Sequence, residues 1–241
     1  MQVASRQLLW NETHGGGGRT VLVVRADAPC MTAKIRSGSL APGSTEVTVD
    51  WGDGTVEQFP NLNGRTHTYS RAKDYRIKIS DDLSSFGYTG SGSGDSLYRD
   101  MLIELVSLGR KVTSIAGYGF NNCHNMRGVM NLPNVTSIGS YAFGTTLGIT
   151  DFILPSMTRL VQTSFYSGPS PTQIHADNVR QIDSSFWDYY GWRLYDIYLR
   201  GSDCEQIKAM NGFPFGADRI QETVRFHGRD GIVLANGTII H

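Results

Sequence analysis

The chain has 241 residues, with 22 basic and 22 acidic side chains and therefore no net charge. A neutral chain lacks the positive field that binds a phosphate backbone, so general nucleic-acid binding is not expected. The hydrophobic fraction of 39% excludes wholesale disorder, while 28 glycines and only 18% charged residues favour a mainly β chain with many turns.

The sequence contains neither a predicted membrane span nor a predicted signal peptide. Its longest aliphatic run, residues 21–24 (VLVV), is far shorter than the roughly 20 residues that a spanning helix needs. The N-terminal residues (MQVASRQLLW) lack an apolar stretch of signal-peptide length. We therefore expect no membrane span and no signal peptide in this chain.

Residues 20–80 contain short alternating apolar runs that are separated by turn residues. Residues 46–51 (EVTVDW) alternate, Asp53 and Gly54 form a tight-turn signal, and residues 55–59 return as the partner strand. Similar runs occur at 20–25 and 31–35, which are bounded by Pro29 and by Ser37 and Gly38, and at 66–70 and 75–79. About seven short strands in roughly 85 residues predict a small β-sandwich over residues 1–88.

Two motifs in this segment resemble the polycystic kidney disease (PKD) domain family. Residues 49–55 (VDWGDGT) contain its WGDG turn, and residues 67–69 (HTY) match the strand that follows. The resemblance implies an immunoglobulin-like sandwich that serves as a spacer or binding module in extracellular proteins. Asp50 and Asp53 could instead hold Ca²⁺, but two carboxylates fall short of the 6–8 ligands that this ion takes, and no metal site is predicted.

A Gly/Ser-rich stretch at 89–96 is the predicted linker, and beyond it the sequence repeats. Residues 112–115 (VTSI) recur unchanged at 135–138, and looser copies follow at 157–160 and 179–182. Five residues after each copy stands an aromatic side chain: Phe120, Phe143, Phe165 and Trp187. A period of 22 to 23 residues with fixed apolar positions is typical of a solenoid.

The repeated unit resembles the BspA-like leucine-rich repeat, most closely at residues 135–143 (VTSIGSYAF). Cys123 stands at the cysteine position of that family, which is a core position. The resemblance implies a leucine-rich-repeat solenoid over residues 97–241, with one short strand of each unit on a concave face. Ser202 and Glu205 have the spacing of a capping box and predict a short helix to Met210. Residues 223–240 predict a terminal β-meander that caps the repeats.

The most unusual segment is 186–198, in which seven of thirteen residues are aromatic. The repeat register assigns Trp187, Tyr190, Leu194 and Ile197 to the core. The remaining rings and one neighbouring cation form the candidate binding site: Phe186, Tyr189, Trp192, Tyr195, Tyr198 and Arg193. Such amphipathic rings indicate a contact surface for a protein or for sugar rings. In the alternative interpretation, the segment packs against the terminal cap.

Nothing in the spacing of reactive side chains indicates catalysis. The cysteines Cys30, Cys123 and Cys204 are far apart, and we expect free thiols of which at least two are buried. The six histidines show no catalytic or metal-binding spacing, and no catalytic residue, metal or cofactor is predicted.

The two resemblances imply a non-catalytic recognition or adhesion module that binds a host protein or glycan at a bacterial surface. Such a protein is expected to be extracellular or bound to the cell surface. The alternative is a prophage tail-associated protein with a structural or receptor-recognition role. The oligomeric state stays open, because an exposed edge of the terminal meander could pair with a second chain.

Overall fold

The computed structural model describes residues 18–90, 97–161, 171–183, 186, 194–210, 213 and 224–241. Strands make up 43% and helices 6% of it, which confirms the predicted mainly β class. The predicted division into residues 1–88, 89–96 and 97–241 stays a prediction.

Residues 18–90 contain eight strands, and most of them follow the predicted apolar runs. They are β1 (Thr20–Ala26), β2 (Met31–Ile35), β3 (Ser37–Leu40), β4 (Val47–Asp50), β5 (Val56–Phe59), β6 (Arg65–Tyr69), β7 (Lys73–Ile79) and β8 (Leu83–Gly87). Strands β5, β4, β7 and β1 lie side by side in one sheet, and β2 pairs antiparallel with β6. Assignment of this part to the PKD family stays a prediction.

The predicted hairpin around the WGDG turn is confirmed. Strands β4 and β5 pair antiparallel, and Asp50 Oδ1 accepts a hydrogen bond from the Gly52 N–H at 2.9 Å. Gly52 has a φ of +84°, and a Cβ there would lie 2.6 Å from the Arg76 carbonyl oxygen. Only glycine fits this position, both for its left-handed conformation and for the close approach of β7.

Strand β3 is a difference from the sequence-based expectation, in which Ser37 and Gly38 bound a strand rather than begin one. In the structure these two residues begin β3, which pairs with β8 in a different sheet from β2, so that Ser37 lies opposite Gly87. Leu62 covers Gly38 so closely that a Cβ would lie 3.1 Å from its Cδ2. Gly38 therefore lies inside β3, where the absence of a side chain allows Leu62 to pack closely against the backbone.

In the repeat region the chain alternates between two strand positions. The first position holds the short strands β10 (Ser114–Ile115), β12 (Ser137–Ile138), β14 (Arg159–Leu160) and β16 (Gln181–Ile182). The second holds β9 (Leu102–Ser107), β11 (Arg127–Asn131), β13 (Gly148–Ile153), β15 (Gln173–His175) and β17 (Asp196–Tyr198). Strands β11, β13, β15 and β17 pair parallel in sequence order, as stacked copies of one unit require.

Two sheets contain strands from both the N-terminal part and the repeat region. Strand β9, which follows the short helix α1 (Leu97–Met101), pairs antiparallel with β1. Strand β8 pairs parallel with β10, so that Phe86 lies opposite Ile115. One buried cluster extends from Leu22 to Val233 through both parts.

The described residues at the C-terminal end form one short helix and three strands. The helix α2 (Cys204–Lys208) is followed by β18 (Arg225–His227), β19 (Ile232–Leu234) and β20 (Ile239–Ile240). Strand β18 pairs parallel with β17, and β19 and β20 extend the same sheet by antiparallel pairing. The antiparallel strands β18, β19 and β20 correspond to the predicted meander. Together with β11, β13, β15 and β17 they form a seven-stranded sheet.

The predicted capping box lies one residue further along the chain. Asp203 is the N-cap and accepts a hydrogen bond from the Gln206 N–H, while the Gln206 side chain accepts one from the Asp203 N–H. The predicted pair was Ser202 and Glu205. Ser202 is fully buried, so its hydroxyl does not cap the helix, and the helix ends at Lys208 instead of Met210.

Aromatic rings at equivalent repeat positions form part of the core. Phe120 and Phe143 are fully buried and stack with their centroids 5.4 Å apart. Phe152 of β13 meets Phe143 edge to face at 5.1 Å. The predicted ladder of aligned aromatic residues is thus present for Phe120 and Phe143, whereas Phe165 and Trp187 lie outside the described residues.

We expect Phe143→Ala to lower the free energy of unfolding by about 3–5 kcal/mol, because it removes a buried ring that touches two others. Urea denaturation followed by circular dichroism measures the change. Leu147→Ala, at an exposed position four residues later, is the control and should change it by less than about 0.5 kcal/mol. Equal effects of the two substitutions would contradict this packing.

Candidate recognition surface

The seven-stranded sheet has one face in the core and one facing away from it. Ile174, Ile197 and Phe226 occupy paired positions on β15, β17 and β18, and all three are buried. Because successive side chains of a strand point to opposite faces, the residues that follow them point away from the core. We call this second side of the seven-stranded sheet the outer face.

Three rings form a stack on the outer face. His175, Tyr198 and His227 are paired in register across β15, β17 and β18. The His175 and Tyr198 rings are 4.3 Å apart and nearly parallel, and the Tyr198 and His227 rings are 4.4 Å apart. The Arg200 guanidinium carbon lies 4.9 Å from the centre of the Tyr198 ring. The stack is therefore an ordered row of half-buried rings with a cation beside it.

Asp196 lies two residues before Tyr198 on the same face and organises two neighbouring side chains. Arg225 Nε lies 2.9 Å from Asp196 Oδ1 in an ion pair, and Arg225 Nη2 donates a hydrogen bond to Oδ2 at 3.0 Å. His227 Nε2 lies 2.7 Å from Oδ1, and a proton on Nε2 makes it the donor. The Asp196 side chain is only 10% exposed, whereas that of Arg225 is 50% exposed. The Asp196 carboxylate is thus almost fully occupied by contacts within the cluster, whereas the Arg225 guanidinium stays accessible to solvent.

The structure separates the sequence-predicted candidates. Tyr198 belongs to the ring stack, and Tyr195, immediately before β17, is 44% exposed. Phe186 is 1% exposed, so it belongs to the core and not to a contact surface. Leu194 and Ile197 are buried, as the repeat register predicted. The other three candidates, Tyr189, Trp192 and Arg193, lie outside the described residues, as do Trp187 and Tyr190.

Sequence reasoning did not find His175, Arg225 or His227. They are contributed by separate repeats and by the terminal strands, so no local cluster marks them. The available signal was the alignment of the second strands: His175, Tyr198 and His227 each follow the buried apolar residue of their own strand. Aligning these positions places the three rings in one row.

A second polar cluster, at the WGDG turn, serves the structure of the turn. His67 Nε2 lies 2.7 Å from Asp53 Oδ2, and the Trp51 Nε1–H donates to Glu57 at 2.7 Å. Burial opposes ionisation of Asp53, but hydrogen bonds from His67 and Thr55 outweigh it and lower its pKa. Among the described residues, no group of three or more His, Cys, Asp or Glu side chains could hold a metal ion.

The three cysteines are free, and two of them are buried, as the sequence predicted. Burial raises the pKa of the Cys123 thiol far above its usual range, which keeps it protonated and unreactive. Burial, together with Asp230, also raises the pKa of Cys204, to about 11. Cys30 is the exposed thiol.

The in-register parallel strands define this part of the chain as a stacked-repeat protein whose accessible face carries polar and aromatic side chains. Comparison with protein families identifies the repeat: residues 93–210 match the BspA type leucine-rich repeat region, in six copies. The match confirms the leucine-rich-repeat resemblance, and it extends beyond the four units that the sequence pattern delineated. Comparisons with curated proteins and with solved structures gave no match.

Repeats of this type suggest a general role in protein binding or adhesion, and proteins that contain them are typically associated with surfaces. In the part of the chain that the structure describes, no helix is long and apolar enough to cross a membrane.

We expect Asp196→Ala to lower the free energy of unfolding by about 1–3 kcal/mol, because it removes the acceptor of the hydrogen bonds from Arg225 and His227 and the ion-pair partner of Arg225. Thermal or urea denaturation measures the loss. The control is Asp151→Ala, on β13 of the same sheet, for which we expect less than about 0.5 kcal/mol. The cluster has no structural role if the two variants are equally stable.

Proposed function

We propose that the protein is a non-catalytic recognition module that binds a protein ligand through the outer face of the seven-stranded sheet. The observation that carries this proposal is the row of His175, Tyr198 and His227 beside the Asp196–Arg225 pair. Five side chains from three strands converge there in a fixed arrangement, without any of them belonging to the core. Preorganisation of this kind lowers the entropic cost of binding.

The arrangement of the rings favours a protein ligand over a glycan. A sugar stacks on an aromatic ring through an open face, but both faces of Tyr198 are covered, one by His175 and the other by His227. The Nε2 atoms of His175 and His227 are engaged with Gln173 and Asp196, and the partly exposed row of rings lies beside the half-exposed guanidinium of Arg225. Tyrosine and arginine are also the side chains most enriched at energetically important positions of protein interfaces.

The wider organisation of the protein is part of the same proposal. Residues 97–241 form a leucine-rich-repeat solenoid with a terminal meander as its cap, and residues 1–88 form a PKD-like sandwich that presents it. In this proposal the protein acts at a bacterial surface and adheres to a host protein, and the family resemblance supports such a role. A receptor-recognition protein of a prophage tail would use the same face, and immunogold labelling of cells and phage particles distinguishes the two locations.

The test is an array of purified extracellular proteins and of glycans, probed with the wild type and two double variants. We expect the wild type to bind protein spots, and Tyr195→Ala/Arg200→Ala to weaken that binding roughly tenfold or more. Both substituted side chains are exposed and lie in or beside β17. Their removal therefore leaves the core unchanged.

The matched control for the array is Val56→Ala/Arg76→Ala, at exposed positions of the N-terminal sheet. It should bind as the wild type does, and circular dichroism should show all three proteins equally folded. Binding to glycan spots alone, or binding that Tyr195→Ala/Arg200→Ala leaves unchanged, would refute the proposal.

A further inference from the structure

Two backbone hydrogen bonds join the short strands at the first position of neighbouring repeats. Between β10 and β12 they run from the Thr136 N–H to the Thr113 carbonyl at 2.8 Å, and from the Gly139 N–H to the Ile115 carbonyl at 2.9 Å. The equivalent pair joins β16 to β14, with both distances 2.9 Å. These two bonds are therefore a signature of one repeat unit stacked on the preceding one.

Strand β8 of the N-terminal part forms the same two bonds with β10. The Thr113 N–H donates to the Ser84 carbonyl at 2.9 Å, and the Ala116 N–H donates to the Phe86 carbonyl, also at 2.9 Å. The two strands pair parallel, as the first strands of consecutive repeats do. Strand β8 therefore occupies the place of a first strand, one unit before β10.

The side chains of β8 fit the repeat as well. Leu83 and Phe86 stand where the next unit has Val112 and Ile115, and all four are buried. The Phe86 ring lies 6.0 Å from the ring of Phe120, which is the first member of the aromatic row in the repeats. The core of the repeats thus continues without a break into the N-terminal part.

Strands of the N-terminal part also cover the edges at this end of the repeats. Strand β3 pairs antiparallel with β8, on the side away from β10. Strand β9, at the second position, contacts β11 and pairs antiparallel with β1. A repeat array without such cover would present unpaired backbone groups and an apolar surface at its end, which favours aggregation.

We propose that residues 18–90 act as the N-terminal cap of the repeat array, and that β8 and β9 form one further repeat unit through which both parts fold as one cooperative unit. The family match begins at residue 93, so β8 lies outside it. A spacer tethered by a linker would unfold independently of the repeats. With a shared unit, unfolding of either part exposes the core of the other, whatever ligand the outer face binds.

Hydrogen–deuterium exchange of the full chain, measured by mass spectrometry of its peptides, tests this coupling with two reciprocal variants. Phe143→Ala, in the repeats, should accelerate exchange of the protected amides of β4 and β7 roughly tenfold or more. Val49 is fully buried in β4, and Val49→Ala should accelerate exchange in β13 and β15 to a similar extent. The reason is that the most protected amides of a cooperative unit exchange through its global unfolding.

The matched controls carry the same kind of substitution at exposed positions. Leu147→Ala in the repeats and Val56→Ala in β5 should leave exchange in both parts as in the wild type. If an alanine variant does not fold, Ile138→Val and Ile79→Val replace the pair, since each removes only one buried methyl group. Each should accelerate exchange in the other part by about two- to tenfold.

The pattern of acceleration decides between a cap and an independent module. Faster exchange in both parts, whichever part carries the buried substitution, supports the cap. Acceleration confined to the part that carries the substitution would overturn it. Separate urea midpoints for the amides of β7 and those of β15 in the wild type would overturn it as well.

Discussion

In-register parallel pairing of the second strands is the constraint on which both the core and the outer face depend. Phe152 lies opposite Ile174, Ile174 opposite Ile197, and Ile197 opposite Phe226. Each repeat therefore places the same position beside its equivalent in the next repeat, so one apolar residue for each unit builds a continuous buried row. A shift of one residue would exchange the two faces of a strand.

The same constraint produces the recognition surface. Because the residue after each buried one points outwards, His175, Tyr198 and His227 become neighbours although 52 residues separate the first from the last. Asp196 then fixes Arg225 and His227 from within the row. A neutral chain thereby presents an ordered row of rings and charged side chains, which its overall composition does not reveal.

The local features of the fold were predictable, and the long-range ones were not. The VTSI copies indicated the repeated unit, although each unit contains two strand positions instead of the one predicted, and the WGDG turn indicated the hairpin of β4 and β5. Nothing in the periodicity predicted that β8 pairs with β10 or β9 with β1, since such pairing depends on contacts between distant segments. In the site, the excess of aromatic residues in segment 186–198 pointed to Tyr198, but it also pointed to Phe186, whose ring is buried in the core. His175 and His227 could have been found only by aligning the second strands of successive units.

The most direct test of this account is a nuclear Overhauser measurement between the side-chain protons of His175, Tyr198 and His227 in protein with labelled aromatic residues. Ring centres 4.3 and 4.4 Å apart predict strong cross-peaks from Tyr198 to both histidines, and upfield ring-current shifts of the imidazole protons. Their loss in Tyr198→Leu would confirm the assignment. Absence of cross-peaks between Tyr198 and either histidine in the folded wild type would contradict the register on which the core and the recognition surface both rest.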